Sequence, residues 1–259
     1  MGIVNVTPDS FSDGGNYVDV KKAVAHALKM EREGADLIDL GGESTRPGAQ
    51  PVSGKEELRR VLPVLEHLQR KIHIPISIDT SKSMVAEAAL KAGAALVNDV
   101  TALSDPRMGN LIADWDVPVI LMHMRGNPRT MRRYARYRRL IPEVLAELKN
   151  SIRTALHAGI SRKRILIDPG LGFAKEPQHN FELLKNLPAL KRLHCPVVIG
   201  PSRKSFLGMI SGESPSDRTF GTAAAVALAV FLGADIVRVH DVAAMRQVAD
   251  VSRAIREAA

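Results

Sequence analysis

The sequence predicts an α/β fold, a single-domain (β/α)8 TIM barrel over residues 1–259, on three observations. Eight short apolar runs each close on polar or glycine-rich sequence: Ile3 to Val6, Leu37 to Leu40, Ile76 to Asp79, Leu96 to Asn98, Val119 to Met122, Ile165 to Asp168, Val197 to Gly200 and Ile236 to His240. They read as parallel strands. The stretches between them carry apolar residues at helical spacing, as in Ala23, Ala27, Leu28 and Met30, or Val144, Leu145, Leu148 and Ile152. Three joins share one grammar, Gly34-Ala35-Asp36-Leu37-Ile38, Gly93-Ala94-Ala95-Leu96-Val97 and Gly233-Ala234-Asp235-Ile236-Val237, with a glycine where a helix should end in a left-handed residue. Eight such units suit a closed barrel, for which about 250 residues is usual. An open doubly wound sheet more often has fewer strands and a first-turn glycine fingerprint, which is absent here.

Composition narrows the class of protein. With 45% hydrophobic and 25% charged residues, the chain can bury a sizeable core. The lone cysteine, Cys195, excludes an internal disulfide and reads as a small buried residue ahead of a strand. No run is long enough to span a membrane, and the start Met1-Gly2-Ile3-Val4-Asn5 lacks a signal pattern, so a cytoplasmic location away from membranes is expected. The net charge of +8 owes much to Arg125, Arg129, Arg132, Arg133, Arg136, Arg138 and Arg139. Without interleaved aromatics, this block reads as a solvated loop and helix start that concentrates anions, in preference to a nucleic-acid surface.

In such a barrel the loops after the strands build the site. The first strand ends at Asn5 and runs into a loop holding Asp9, Phe11 and Asp13, dense in oxygen ligands and suited to meeting a metal or closing over a ligand. The second leads to the glycine-framed segment Gly41 to Gly48, which carries Thr45, Arg46 and Pro47. Strands three and four end in Asp79 and in Asn98-Asp99; for Asp79, a helix cap near Ser81 and a catalytic carboxylate are equally good readings.

Strand five ends at Met122. The sixth delivers Asp168-Pro169-Gly170-Leu171-Gly172-Phe173-Ala174-Lys175, where a carboxylate could accept two parallel N–H bonds from an amidine-like edge such as that of a 2-amino-4-oxo pterin or guanine. The seventh turns through Ser202, Arg203, Lys204 and Ser205 into a helix start that favours anions. The eighth ends Arg238-Val239-His240, whose basic residues at i and i+2 share a face and could clamp a diphosphate; a structural arginine paired to an acid is the alternative.

Together Met1 to Gly15, Gly41 to Gly48, Asp168 to Lys175, Ser202 to Gly208 and Arg238-Val239-His240 closely resemble dihydropteroate synthase, the pterin-binding folate-pathway family inhibited by sulfonamides. The resemblance implies condensation of 4-aminobenzoate with 6-hydroxymethyl-7,8-dihydropterin diphosphate, assisted by Mg2+, in a homodimer that takes small-molecule substrates. It places Asp168 and Asn98 on the pterin edge, Lys204 on its carbonyl side, Met122 and Phe173 on its faces, and Asp79 near the reacting centre. By the same resemblance Asn5 ligates Mg2+ and, with Arg238 and His240, holds the diphosphate. Ser205 takes the benzoate carboxylate, and Phe11, Asp13, Thr45, Arg46 and Pro47 close over that pocket. One departure is visible: the family usually has a short extension before the first strand, which here starts almost at Met1. That bears on stability and subunit packing more than on chemistry.

Three other readings have distinguishing features. A methyltetrahydrofolate-binding methyltransferase shares the barrel and the pterin edge but needs neither the Arg238 and His240 clamp nor the Arg46 loop. A silent pterin-binding paralogue would be expected to lose its loop residues, and an RNA-binding protein would show salt-sensitive binding without pterin.

Overall fold

All eight expected strands form. They are β1 (Gly2–Asn5), β2 (Ile38–Gly41), β3 (Ile76–Asp79), β4 (Leu96–Asp99), β5 (Val119–Met122), β6 (Ile165–Asp168), β7 (Val198–Ile199) and β8 (Ile236–Val237) in a computed structural model that describes residues 1–7, 17–46, 48–214 and 217–258. Helices α1 (Tyr17–Arg32), α2 (Gly54–Leu68), α3 (Ser83–Lys91), α4 (Met108–Trp115), α5 (Leu140–His157), α6 (Pro177–Lys185), α7 (Ser205–Ser211), α8 (Thr219–Phe231) and α9 (Val242–Glu257) alternate with them. The last two strands are shorter than the apolar runs suggest. Pro196 and Pro201 flank β7 and have no N–H to give to a ladder.

Strands β1 to β6 pair in parallel in chain order, and β7 pairs with β8. Single bridges close the circle, Ile167 to Val197 and Gly2 to Val239, with Ile167 N donating to Pro196 O at 2.9 Å and Ile3 N donating to Val239 O at 3.0 Å. This is the (β/α)8 TIM barrel, a sheet without free edges. Gly34, Gly93 and Gly233, at φ of +92°, +100° and +98°, end their helices in the left-handed region as the repeated joins require.

Alternation along the strands sorts the interior into two levels. Outward-facing residues such as Val4, Ile38, Ile78, Val97, Leu121 and Ile167 join the main core shared with the helices. Inside the barrel, Met1, Leu37, Leu96, Ile120 and Val198, with Leu166 and Ile236 packed against them, form a separate apolar layer. Two residues further along, and so on the same face, stand Asp39, Asn98, Met122, Asp168, Gly200 and Arg238. The apolar layer is thus the floor of a polar mouth.

Among the described residues, no helix is long and apolar enough to cross a membrane. Cys195 is buried, which pushes its thiol up. Of the arginine block, Arg129, Arg132, Arg133, Arg136, Arg138 and Arg139 are exposed on the segment leading into α5. Arg125 instead ion-pairs with Glu143 and Glu147 and lies 4.0 Å over the Tyr137 ring.

Candidate active site

Arg238 reaches across the mouth of the barrel to two carboxylates. Its Nε donates to Asp39 Oδ2 at 2.5 Å and its Nη2 to Asp79 Oδ2 at 2.7 Å. Asp39 also accepts from Asn98 Nδ2 at 3.1 Å, which fixes that amide and leaves its carbonyl oxygen to face elsewhere. The side chain of Asp39 is fully buried, that of Asp79 8% exposed and that of Arg238 21%. Burial, followed by the charge of Asp39, pushes Asp79 up to about 8 despite the opposing pull of Arg238. Asp79 therefore keeps its proton to a higher pH than an ordinary carboxyl does.

The capping alternative for Asp79 falls away. Helix α3 begins at Ser83, and the carboxylate that accepts from the Ser83 N–H, at 2.8 Å, belongs to Asp105. Asp99, beside Asn98, accepts from Thr101 N, Thr101 Oγ1 and Leu103 N, and so fixes its own loop.

On the opposite wall, Asp168 Oδ1 accepts from Gly170 N at 2.7 Å, and burial raises its pKa against the pull of Lys204, the Gly170 N–H, Arg238 and Lys175. A carboxylate has about four lone-pair sites, so this bond leaves capacity for a further N–H pair. Lys204 lies 4.5 Å from the centre of the Phe173 ring and donates to the Leu171 carbonyl. Burial brings its ammonium down to about 8. Lys175 braces the same loop, donating to Phe173 O at 2.9 Å and sitting 3.0 Å from His123 Nδ1, while His123 Nε2 lies 2.9 Å from Glu147 Oε2. Met122 is buried at the end of β5.

His240 sits 3.0 Å, at Nδ1, from Ser202 Oγ, which also accepts from the His240 backbone N–H at 3.1 Å. Burial first, then Arg203 and Arg238, bring His240 down to about 4. The basic pair read from the sequence is therefore one permanent cation and one neutral imidazole at physiological pH. Asp241 explains part of the geometry: it holds Arg203, whose φ of +57° turns the chain so that Lys204 and Ser205 follow at the start of α7. Ser205 is exposed there, and Thr45 and the exposed Arg46 lie on the loop after β2. Arg46 contributes to lowering His240, so that loop is within electrostatic reach of β8. Asn5 is partly exposed at the end of β1. Phe11, Asp13 and Pro47 lie outside the described residues.

The structure thus brings Asp79, Asn98, Asp168, Lys204, Phe173, Arg238 and His240 around one mouth. It adds Asp39, which the sequence reading missed. The available signal was alternation: an aspartate two residues after the inward-facing Leu37 must point into the barrel, where a charge needs a partner.

Known proteins are similar to this chain in sequence and in fold. The sequence profile described as pterin binding enzyme matches residues 1–240. A dihydropteroate synthase of Synechocystis is 48% identical over 257 residues, covering 98% of this chain and 89% of that protein. The solved structure of Xanthomonas albilineans dihydropteroate synthase with 4-aminobenzoic acid superposes with a TM-score of 0.94 at 48% identity, over 100% of this chain and 93% of that one. The same organism's enzyme in complex with 7,8-dihydropteroate gives 0.91 at 46% identity, over 100% and 94%. Fold, mouth and profile together define a pterin-binding barrel enzyme. Within that class the chain belongs to the dihydropteroate synthase family, whose members are transferases.

Proposed function

We propose that the chain condenses 6-hydroxymethyl-7,8-dihydropterin diphosphate with 4-aminobenzoate, releasing diphosphate and giving 7,8-dihydropteroate for folate biosynthesis. The observation that carries this is the convergence, above an apolar floor, of Asp168, Lys204 and Phe173 on one wall with Asp79, Arg238 and His240 on the other. The first set suits a flat heterocycle with an amino-pyrimidine edge; the second suits an anionic leaving group.

In this reading Asp168 takes the pterin's paired N–H groups, Asn98 adds its free amide oxygen, and Lys204 donates to the carbonyl side. Phe173 and Met122 cover the faces. As the bond to diphosphate lengthens, positive charge grows on the pterin methylene, and the Asp39 carboxylate, joined by Asp79 in its ionised form, stabilises that charge electrostatically. Arg238 neutralises negative charge on the departing oxygens, and Ser202 can donate to His240 Nδ1, leaving Nε2–H as a donor to phosphate. The aromatic amine needs little activation, so positioning carries the second half of the reaction. Ser205 receives its carboxylate, and Thr45 and Arg46 border that side of the mouth.

Magnesium fits as an ion brought by the diphosphate. Asn5 offers one amide oxygen, no three acidic, histidine or cysteine side chains gather into a cage among the described residues, and Mg2+ commonly takes one or two protein oxygens plus phosphate and water. Bound there, it would offset charge on the leaving group.

A homodimer is part of the same proposal. Adjacent helices α8 and α9 leave Phe220, Leu228, Phe231, Val251 and Ile255 between 48% and 84% exposed, an apolar surface suited to a second copy. Sedimentation should give twice the 28.1 kDa chain mass. The reaction is tested by diphosphate release. Release that requires both 4-aminobenzoate and the pterin diphosphate, with dihydropteroate detected by mass, is expected; pterin binding without release would support the methyltransferase or silent reading instead.

A further inference from the structure

The loop after β2 is stapled at its stem. Glu43 turns back on the chain, Oε1 accepting from the Val52 N–H at 3.0 Å, so that the two ends of the loop are tied together. Its other oxygen accepts from Lys82 Nζ at 2.5 Å, and Lys82 donates again to Glu57 Oε2 at 2.6 Å. Lys82 is the N-cap of α3, and Glu57 lies in the first turn of α2, so three chain segments meet at one ammonium. The Glu57 side chain is fully buried, and those of Glu43 and Lys82 are only 18% and 25% exposed. A buried carboxylate needs a cation, and here one cation serves two.

The stem is also packed without slack. A Cβ on Gly42 would lie 2.8 Å from Val61 Cγ1, and Gly42 O accepts from Arg60 Nη1 at 2.9 Å. Further along, the Gly48 N–H donates to Pro128 O at 3.0 Å, against the segment after β5. None of these groups points at the Asp168 wall.

We propose that Lys82 is a positioning residue for the second substrate: by bridging Glu43 and Glu57 it fixes the stem of the 44–51 loop and so presents Arg46 to the benzoate side of the mouth. This rests on the assignment of that loop to 4-aminobenzoate. An ammonium between two carboxylates is the part of the stem that a neutral side chain cannot replace, whereas the Asp168 and Lys204 wall is built from β6 and β7 and does not depend on it.

The test varies both substrates on the full chain. Lys82→Met should raise the KM for 4-aminobenzoate about tenfold, with calorimetric affinity for pterin diphosphate kept within about twofold. Lys82→Arg, which keeps a cation between the carboxylates, should restore the KM to within about threefold of the parent. If Lys82→Met does not fold, Glu43→Gln removes the charge while keeping an acceptor for Val52, and the same split is expected. Equal losses on both substrates, or an unchanged KM, overturn the role. Arg46→Ala separates the two levels. If it leaves the KM for 4-aminobenzoate unaltered, the loop assignment fails and this inference with it; if it raises the KM while Lys82→Met does not, only the positioning role fails.

Discussion

Arg238 and Asp39, 199 residues apart in sequence, meet at 2.5 Å inside the barrel, and the guanidinium is shared with Asp79. Two carboxylates therefore compete for one cation at the centre of the site. Asp39→Ala leaves Arg238 short of a buried partner, and urea unfolding should show a loss of about 3 kcal/mol. Asp39→Asn tests the electrostatics separately. With one like charge gone, the titration of Asp79 should move to lower pH by about one unit, read in the pH dependence of turnover.

Asp79 itself should control the alkaline side of that profile. If its ionised form stabilises the growing positive charge, turnover rises with pH through about 8, and Asp79→Asn flattens this limb at a much lower rate. Stability runs the other way. A carboxyl whose pKa is raised on folding contributes fully below its unfolded value of 3.8, and that contribution is lost as pH climbs through about 8. At pH above 8, Asp79→Asn should therefore melt higher than the parent chain in a thermal scan, and an equal or lower melting temperature there would count against a raised Asp79.

Asp168→Asn should weaken pterin binding measured by calorimetry by at least about tenfold, since an amide cannot accept two parallel N–H bonds as a carboxylate does. Unchanged binding would remove Asp168 from the pterin edge.

Arg46→Ala should lower turnover and raise the KM for 4-aminobenzoate while pterin diphosphate still binds. A defect in pterin affinity would move the residue to the other pocket.

Chelation should abolish or strongly weaken turnover, with recovery on adding excess Mg2+. Full activity in chelator would count against a role for Asn5 in holding the ion.

Much of the frame was legible in the sequence because its signals are local. A buried parallel strand must be a short apolar run, and Gly34, Gly93 and Gly233 mark helix ends because the backbone there has positive φ. The strand-end residues Asn98, Asp168, Lys204 and Arg238 were legible for the same reason, since the architecture says where to look. Asp39 was not, hidden within the apolar run Leu37 to Leu40, and its significance depends on an arginine from the last strand. The charge states of Asp79 and His240 were also out of reach, because burial and neighbours from other strands decide them. The Lys82 staple likewise joins residues that are adjacent only once β2, α2 and α3 have packed.

The layer of Met1, Leu37, Leu96, Ile120 and Val198 has a consequence for traffic. It makes the barrel a blind tube. Whatever settles deepest reaches its place and leaves it through the one open end. A product formed by joining an upper guest to a lower one is longer than either, and it leaves by the same end. The chemistry and the exit thus share one passage.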